Sequence, residues 1–264
     1  MQEIRLDYTD CIDAPAYDPD NDRFEPMPNS KVHSAFRSNN KSVSARWAVA
    51  KNVSVTLDHS DPNADIRADR CYLRFNIPED MGSPVYFYYY LTNFYQNHRR
   101  YVESFNADQL KGHAQSYNTI KGSKCDPLDV PDGDDKRPYY PCGLIANSMF
   151  NDSFTEPRKL TGENENKNYT MTKIGVSWSS DKDLYEPSGY ENPEDIIPPP
   201  NWEKRYPDGY STSAPPPNLK EWEAFQVWMR TAGLPTFSKL YQKNENDTLI
   251  AGEYEVIVDY CESS

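Results

Sequence analysis

The sequence predicts a mainly β (α+β) protein with long irregular extensions and one or two short helices. Three observations predict it. Val85 to Leu91 is an unbroken run of aromatic, β-branched and aliphatic residues, a composition and length that suit a strand. Other stretches alternate apolar and polar residues with a period of two, as half-buried strands do. The 264 residues include 22 prolines against 11 glycines, and 20 tyrosines against 10 phenylalanines. That balance favours a β framework crossed by proline-stiffened polar excursions.

In chain order, Glu3 to Tyr8 alternates in strand fashion and leads through Thr9-Asp10-Cys11 into a polar loop. Residues 1–60 otherwise read as an extended lead-in. Val53, Val55 and Leu57 mark one strand, and Cys71, Leu73, Phe75 and Ile77 a second that stops at Pro78. Val85–Leu91 then reads as a central strand packed on both faces. Directly after it come the donor-rich residues Asn93, Gln96, Asn97, His98, Arg99 and Arg100, with Tyr95 and Tyr101 among them. They suit either a recognition surface on a fixed base or a buried polar network joining two layers.

Residues 103–141 read as loop, with Asp132, Asp134 and Asp135 at an acidic tip. Cys125 and Cys142 flank this tip and can close it, for a gain of roughly 3 kcal/mol in the chain-entropy model. Cys142 to Phe150 reads as a buried turn or short helix. Tyr169 to Trp178 reads as a strand with Ile174, Val176 and Trp178 in phase. Residues 181–218 form a proline-rich surface crossing stiffened by two Pro-Pro-Pro-Asn copies, 198–201 and 215–218. Asn218 to Thr231 reads as a helix, capped by Asn218 with Glu221 three residues on and ended by Gly233 and Pro235. Its apolar face carries Trp222, Phe225, Trp228 and Met229. Tyr254 to Tyr260 gives the last strand.

The formal net charge of −13 repels phosphates at long range, so nucleic acid is an unsuitable partner. The basic run 98–100 reverses that field only locally. The four histidines lack metal-ligand spacing, and neither a P-loop nor a nucleophile elbow occurs. The acidic tip lacks the calcium-loop pattern. No cofactor is expected. Carboxylate pairs are abundant in any acidic chain, so a glycosidase is only weakly indicated. Five sequons, at Asn40, Asn52, Asn151, Asn168 and Asn246, and five widely spaced cysteines point to an oxidising secretory compartment. No signal peptide opens the sequence and no apolar run approaches 18 residues, so the chain is either soluble inside the cell or a lumenal segment of a longer protein, and the sequons and cysteines favour the segment.

Several segments resemble one family. Tyr90 to Val102 is similar to the signature of the CDC-fifty/LEM family, the accessory (β) subunits of type-four P-type ATPases, the lipid flippases. Asp7 to Cys11, Tyr140 to Ser148 with Phe150-Asn-Asp152, Asn201-Trp202, and Trp228 to Ala232 with Leu234-Pro235 resemble it too. The matches run in order along nearly the whole chain and look fungal, with long inserts such as residues 20–60. The resemblance implies an asymmetric antiparallel β-sandwich with long extensions. It implies that residues 1–264 are one exoplasmic domain, with a membrane helix beyond each end. It implies disulfides Cys11–Cys71 and Cys125–Cys142, a free thiol at Cys261, and glycans on the sequon asparagines, Asn151 and Asn168 above all.

Functionally the resemblance implies a non-catalytic subunit embedded in the membrane as a heterodimer with the ATPase. It would support the ATPase's folding, its exit from the endoplasmic reticulum and its phospholipid-translocating cycle. The location would be the exoplasmic face of the endoplasmic reticulum, Golgi, endosome or plasma membrane. Asn93, Tyr95, Gln96, Arg99, Arg100, Arg230 and Thr231 are the expected contact or structural residues. The alternative is a glycan- or lipid-headgroup-binding extracellular domain, suggested by the many tyrosines and tryptophans; a purely structural secreted protein is a third reading.

Overall fold

The computed structural model describes residues 2–21, 23–37, 42–133, 135–162 and 165–260. Strands dominate, in antiparallel sheets of unequal size. The lead-in supplies β1 (Glu3–Leu6), β2 (Glu25–Pro26) and β3 (Val32–Ala35), and β1 pairs with β3. β4 (Ala45–Val55) and β5 (Ile66–Ile77) follow, then β6 (Val85–Leu91), β7 (Ser153–Phe154), β8 (Arg158–Lys159), β9 (Phe237–Asn244) and β10 (Gly252–Tyr260). The large sheet runs β2-β4-β5-β10-β7, with β8 also on β10; β6 and β9 form a separate two-stranded ribbon. The lead-in is thus part of the framework. Residues 45–55, expected within an insert, form an inner strand of the large sheet.

β5 and β10 occupy the centre that β6 was expected to hold. Their alternation places Cys71, Leu73, Val256 and Val258 on the core face. The opposite face carries Arg70, Tyr72, Arg74, Glu255 and Asp259. Glu255 is buried there, 2.8 Å from Arg74 and 2.6 Å from Arg158, and Arg70 forks Asp259 at 2.6 and 3.0 Å. The lead-in roofs these pairs: Tyr17 stacks on Tyr72 at 3.8 Å, and Phe24 lies 3.9 Å from the Arg74 guanidinium. Excluding water strengthens such pairs and makes their partners interdependent.

β6 is half-buried. Val85 and Tyr89 face inward, whereas Tyr86, Tyr88 and Tyr90 are 43, 49 and 43% exposed. A two-stranded ribbon has one layer to pack against, so its second face meets solvent whatever its composition. The ribbon lies on the large sheet through Phe87, Phe154 and Tyr241, whose ring centroids are 5.0–6.1 Å apart. These are two unequal packed layers.

Six short α-helices occur among the described residues: α1 (Arg99–Val102), α2 (Ala107–Leu110), α3 (Tyr117–Ile120), α4 (Leu144–Asn147), α5 (Ser179–Lys182) and α6 (Glu223–Met229). The region read as loop from 103 to 141 therefore holds two of them. α6 is shorter than the helix expected over 218–231. Asn218 accepts from the Lys220 amide and makes a turn, so the capping box does not form. The helix starts only beyond Trp222.

The 169–178 segment is not a strand. Ile174 and Trp178 are 76 and 64% exposed, while Met171 and Val176 are buried. Gly175 takes φ +77°, and the Glu223 carboxylate draws in the Gly175 and Ser177 amides at 3.1 and 3.0 Å. That side-chain acceptor replaces a ladder. Nor is the proline-rich stretch a surface crossing. It delivers Ile196, Trp202, Tyr206 and Tyr210 to the core. The Trp202 and Trp228 indoles donate to the Ala146 and Ile145 carbonyls at 2.9 and 2.8 Å, serving the last turn of α4.

Two disulfides are present, Cys11–Cys71 and Cys125–Cys142, with Cα separations of 6.1 and 5.6 Å. Cys261, Asn40 and Asp134 lie outside the described residues.

Candidate functional site

The ribbon positions the site. Leu91 pairs with Phe237, so the chain leaves β6 and enters β9 at the same end. Segments 92–100 and 230–236 therefore run side by side. Asn93 takes φ +56°, a left-handed turn that asparagine tolerates better than most residues. Past the turn, the Phe94 amide donates to the Pro235 carbonyl at 3.0 Å, and Asn97 Nδ2 donates to the Gly233 carbonyl at 3.2 Å.

Gln96 is fully buried between the segments. Its Oε1 accepts from the Ala232 amide at 2.9 Å, and its Nε2 donates to the Tyr101 hydroxyl at 3.4 Å. Tyr101 is 2.8 Å from the Ser148 hydroxyl, which donates to the Leu144 carbonyl at 2.7 Å. One relay thus joins both segments to α4. Replacing Gln96 with Leu removes the acceptor of the half-buried Ala232 amide, an expected cost of about 1 kcal/mol. Urea unfolding of Gln96→Leu measures it; an unchanged midpoint contradicts the relay.

The other expected residues divide by direction. Tyr95 points outward, as do Arg99 and Arg100. Arg99 is 3.6 Å from Glu103 and Arg100 is 2.8 Å from Asp126. Arg230 forks Asp181 through two 2.9 Å bonds and lies 3.7 Å over the exposed Trp178 ring. Thr231 is half-buried beside it. The stretch 93–100 is thus both a polar network and a surface, split residue by residue.

Two buried charges behind this surface escaped the sequence pattern. Lys239 on β9 faces inward and donates to the Val227 carbonyl at 3.0 Å, and also to the Trp228 and Arg230 carbonyls, closing the end of α6. Burial pulls its pKa down to about 8, with the Arg230 charge acting in the same direction. A lysine within a strand ordinarily signals the solvent side, so only the bonding pattern reveals it. Glu223 at the start of α6 holds Lys182 at 2.5 Å besides the two amides. Burial opposes its charge, but the Lys182 bond and the amides prevail, and its pKa is lowered. A depressed carboxylate stabilises fully above its unfolded value and loses that contribution as pH falls through the folded one. Glu223→Gln is therefore expected to cost about 1–3 kcal/mol at neutral pH and progressively less in acid. Urea melts at pH 7 and pH 3 check this; an equal penalty at both contradicts it.

The architecture is thus a mainly β framework whose ribbon end presents a pre-bonded polar and aromatic edge. The profile of the LEM3 (ligand-effect modulator 3) family / CDC50 family matches residues 1–261, and the chain belongs to that family. It is 41% identical over 98% of its length to the phospholipid-transporting ATPase accessory subunit CDC50 of Chaetomium thermophilum. It is 40% identical over 96% of its length to the accessory subunit CRF1 of Saccharomyces cerevisiae, and 48% identical over 70% to the accessory subunit LEM3 of that yeast. The chain spans 63, 58 and 44% of these three relatives' lengths. Among the described residues, no helix is long and apolar enough to cross a membrane.

Proposed function

We propose that residues 1–264 form one exoplasmic domain of a phospholipid flippase accessory subunit. The whole protein binds a type-four P-type ATPase subunit as a heterodimer. It supports the ATPase's folding, exit from the endoplasmic reticulum and phospholipid-translocating cycle, and performs no reaction of its own. The observation that carries this reading is the family match over residues 1–261, together with relatives named as accessory subunits of phospholipid-transporting ATPases. A pre-bonded edge supports it, because little ordering entropy is lost on association. Tyr95, Arg99, Arg100 and Arg230 are then contact residues. Asn93, Gln96 and Thr231 hold the edge in shape.

Glycans are proposed at the sequon asparagines. Asn52, Asn168 and Asn246 are exposed; Asn151 is half-buried, 3.5 Å from Arg205. Loss of the full-length protein should retain the ATPase in the endoplasmic reticulum and abolish its phosphoenzyme. Normal exit and phosphorylation would contradict the reading. One feature favours glycan or headgroup binding instead: the exposed tyrosines 86, 88 and 90 on one face of β6. Tight, saturable binding of the isolated domain to a glycan array or to vesicles, with no ATPase present, would favour that alternative.

A further inference from the structure

We infer that the cleft beside a bulge in β4 is a sugar site, filled by the first N-acetylglucosamine of a glycan on Asn52. The inference rests on the exoplasmic reading above, because sequons are glycosylated on that side of the membrane. Asn52-Val53-Ser54 is a sequon within β4 itself. The pairing of β4 with β5 passes from Ala50 opposite Arg70 to Val53 opposite Ala68. Lys51 and Asn52 therefore share one opposing residue, Asp69, and form a bulge. Asn52 takes φ +51° there, a left-handed conformation that asparagine tolerates. Its amide donates to Asp69 Oδ1 at 2.9 Å, and its carbonyl accepts from Arg67 Nη1 at 3.5 Å. These bonds hold Asn52 by its backbone, and its exposed side chain is left to carry a substituent. Attachment joins Nδ2 to the anomeric carbon of a lipid-diphosphate oligosaccharide; the amide gives up a proton and the lipid diphosphate leaves.

Asn52 lines a cleft of about 180 Å³ together with Ile12, Arg67, Asp69, Lys204 and Tyr260. One water needs only about 10–15 Å³, so the cleft has room for a sugar ring. Its walls are mixed. Ile12, 41% exposed, and the Tyr260 ring offer apolar surface, whereas Arg67 and Lys204 are donors and Asp69 is an acceptor. Apolar surface with a few placed polar groups is the make-up of a small-ligand site. N-acetylglucosamine answers both: its C–H faces and acetyl methyl suit Ile12 and Tyr260, and its hydroxyls and amide suit the polar groups. A phosphate fits less well, because the Asp69 charge shares the cleft and repels it. A tethered sugar enters at high effective concentration, so weak contacts keep it seated. The walls come from the lead-in, β5, the proline-rich stretch and the end of β10. A sugar seated there therefore ties the β4 bulge to segments far apart in sequence. It also covers Ile12 and Tyr260 where they border the Cys11–Cys71 bond.

The test uses the full-length protein from a glycosylating fungal host, solubilised in detergent. Peptide mapping is expected to find Asn52 glycosylated. Asn52→Gln and Ser54→Ala each remove the sequon, and each is expected to lower the melting temperature by about 2–4 °C. The double variant is expected to lower it no further, and Ser54→Thr, which keeps the sequon, is expected to melt as wild type does. Endoglycosidase H trims each glycan to its first N-acetylglucosamine and is expected to leave the melting temperature unchanged, since the first sugar is the one seated. Asn52 found bare while other sequons carry glycans overturns the inference. So does either single variant melting as wild type does, a double variant whose loss is the sum of the two single losses, or a trimmed protein that melts as low as Ser54→Ala. Glycans on none of the sequons overturn the exoplasmic reading as well.

Discussion

Severing Cys11–Cys71 by the double substitution Cys11→Ala, Cys71→Ala is expected to lower the unfolding free energy by about 4 kcal/mol in the chain-entropy model. The two cysteines are 60 residues apart, so the bond removes a long loop's freedom from the unfolded chain. Both are buried, and Cys71 lies on β5 at the centre of the large sheet, opposite Val49 and Val258. Losing the bond also frees the lead-in that roofs the ion pairs of Arg70 and Arg74. Cys125–Cys142 spans 17 residues, and its loss is expected to cost about 3 kcal/mol by the same argument. Urea unfolding with and without reductant, beside each double variant, separates the two. A transition indifferent to reductant contradicts both expectations.

Trp202→Ala is expected to destabilise by about 3–5 kcal/mol. Trp202 is fully buried, with its ring edge-on to Trp222 at 5.4 Å and Phe225 at 6.1 Å. Its indole also donates to the Ala146 carbonyl. Truncation leaves a cavity among aromatic rings and removes a donor from the end of α4. The Trp228 indole holds the adjacent Ile145 carbonyl, so loosening α4 reaches the relay of Ser148, Tyr101 and Gln96. Calorimetry or urea unfolding of the variant measures the cost. A loss below about 1 kcal/mol would show that the aromatic cluster refills the space, since that is the scale of a surface change.

The legible parts of the fold are those where the core face is apolar. β5 and β10 follow a period of two because Cys71, Leu73, Val256 and Val258 all point inward. The bounds of β6 were equally plain, but its environment was not. Its aromatic run matched a two-sided strand, and only the pairing with β9 places three tyrosines in solvent. β9 itself was invisible because its buried positions are Lys239, Gln242 and Asn244. Each is held by side-chain bonds to carbonyls, such as Gln242 to Thr155 and Asn244 to Thr170. No alternation of hydrophobicity signals such a strand. The 169–178 segment failed the opposite way, since Ile174 and Trp178, in phase with the buried Val176, are exposed and the Gly175 and Ser177 amides serve Glu223.

In the site, residue types were legible and directions were not. The sequence placed amides and cations after the strand. The turn at Asn93, which nothing in the hydrophobic pattern marks, decides that Gln96 enters the core while Tyr95, Arg99 and Arg100 leave it.

The most direct measurement is affinity purification of the full-length protein from solubilised membranes, with identification and stoichiometry of what co-elutes. A type-four P-type ATPase recovered at about one copy per copy of this protein is the expected result. Recovery of the glycosylated protein alone, with no such ATPase present at any salt concentration, would contradict the account.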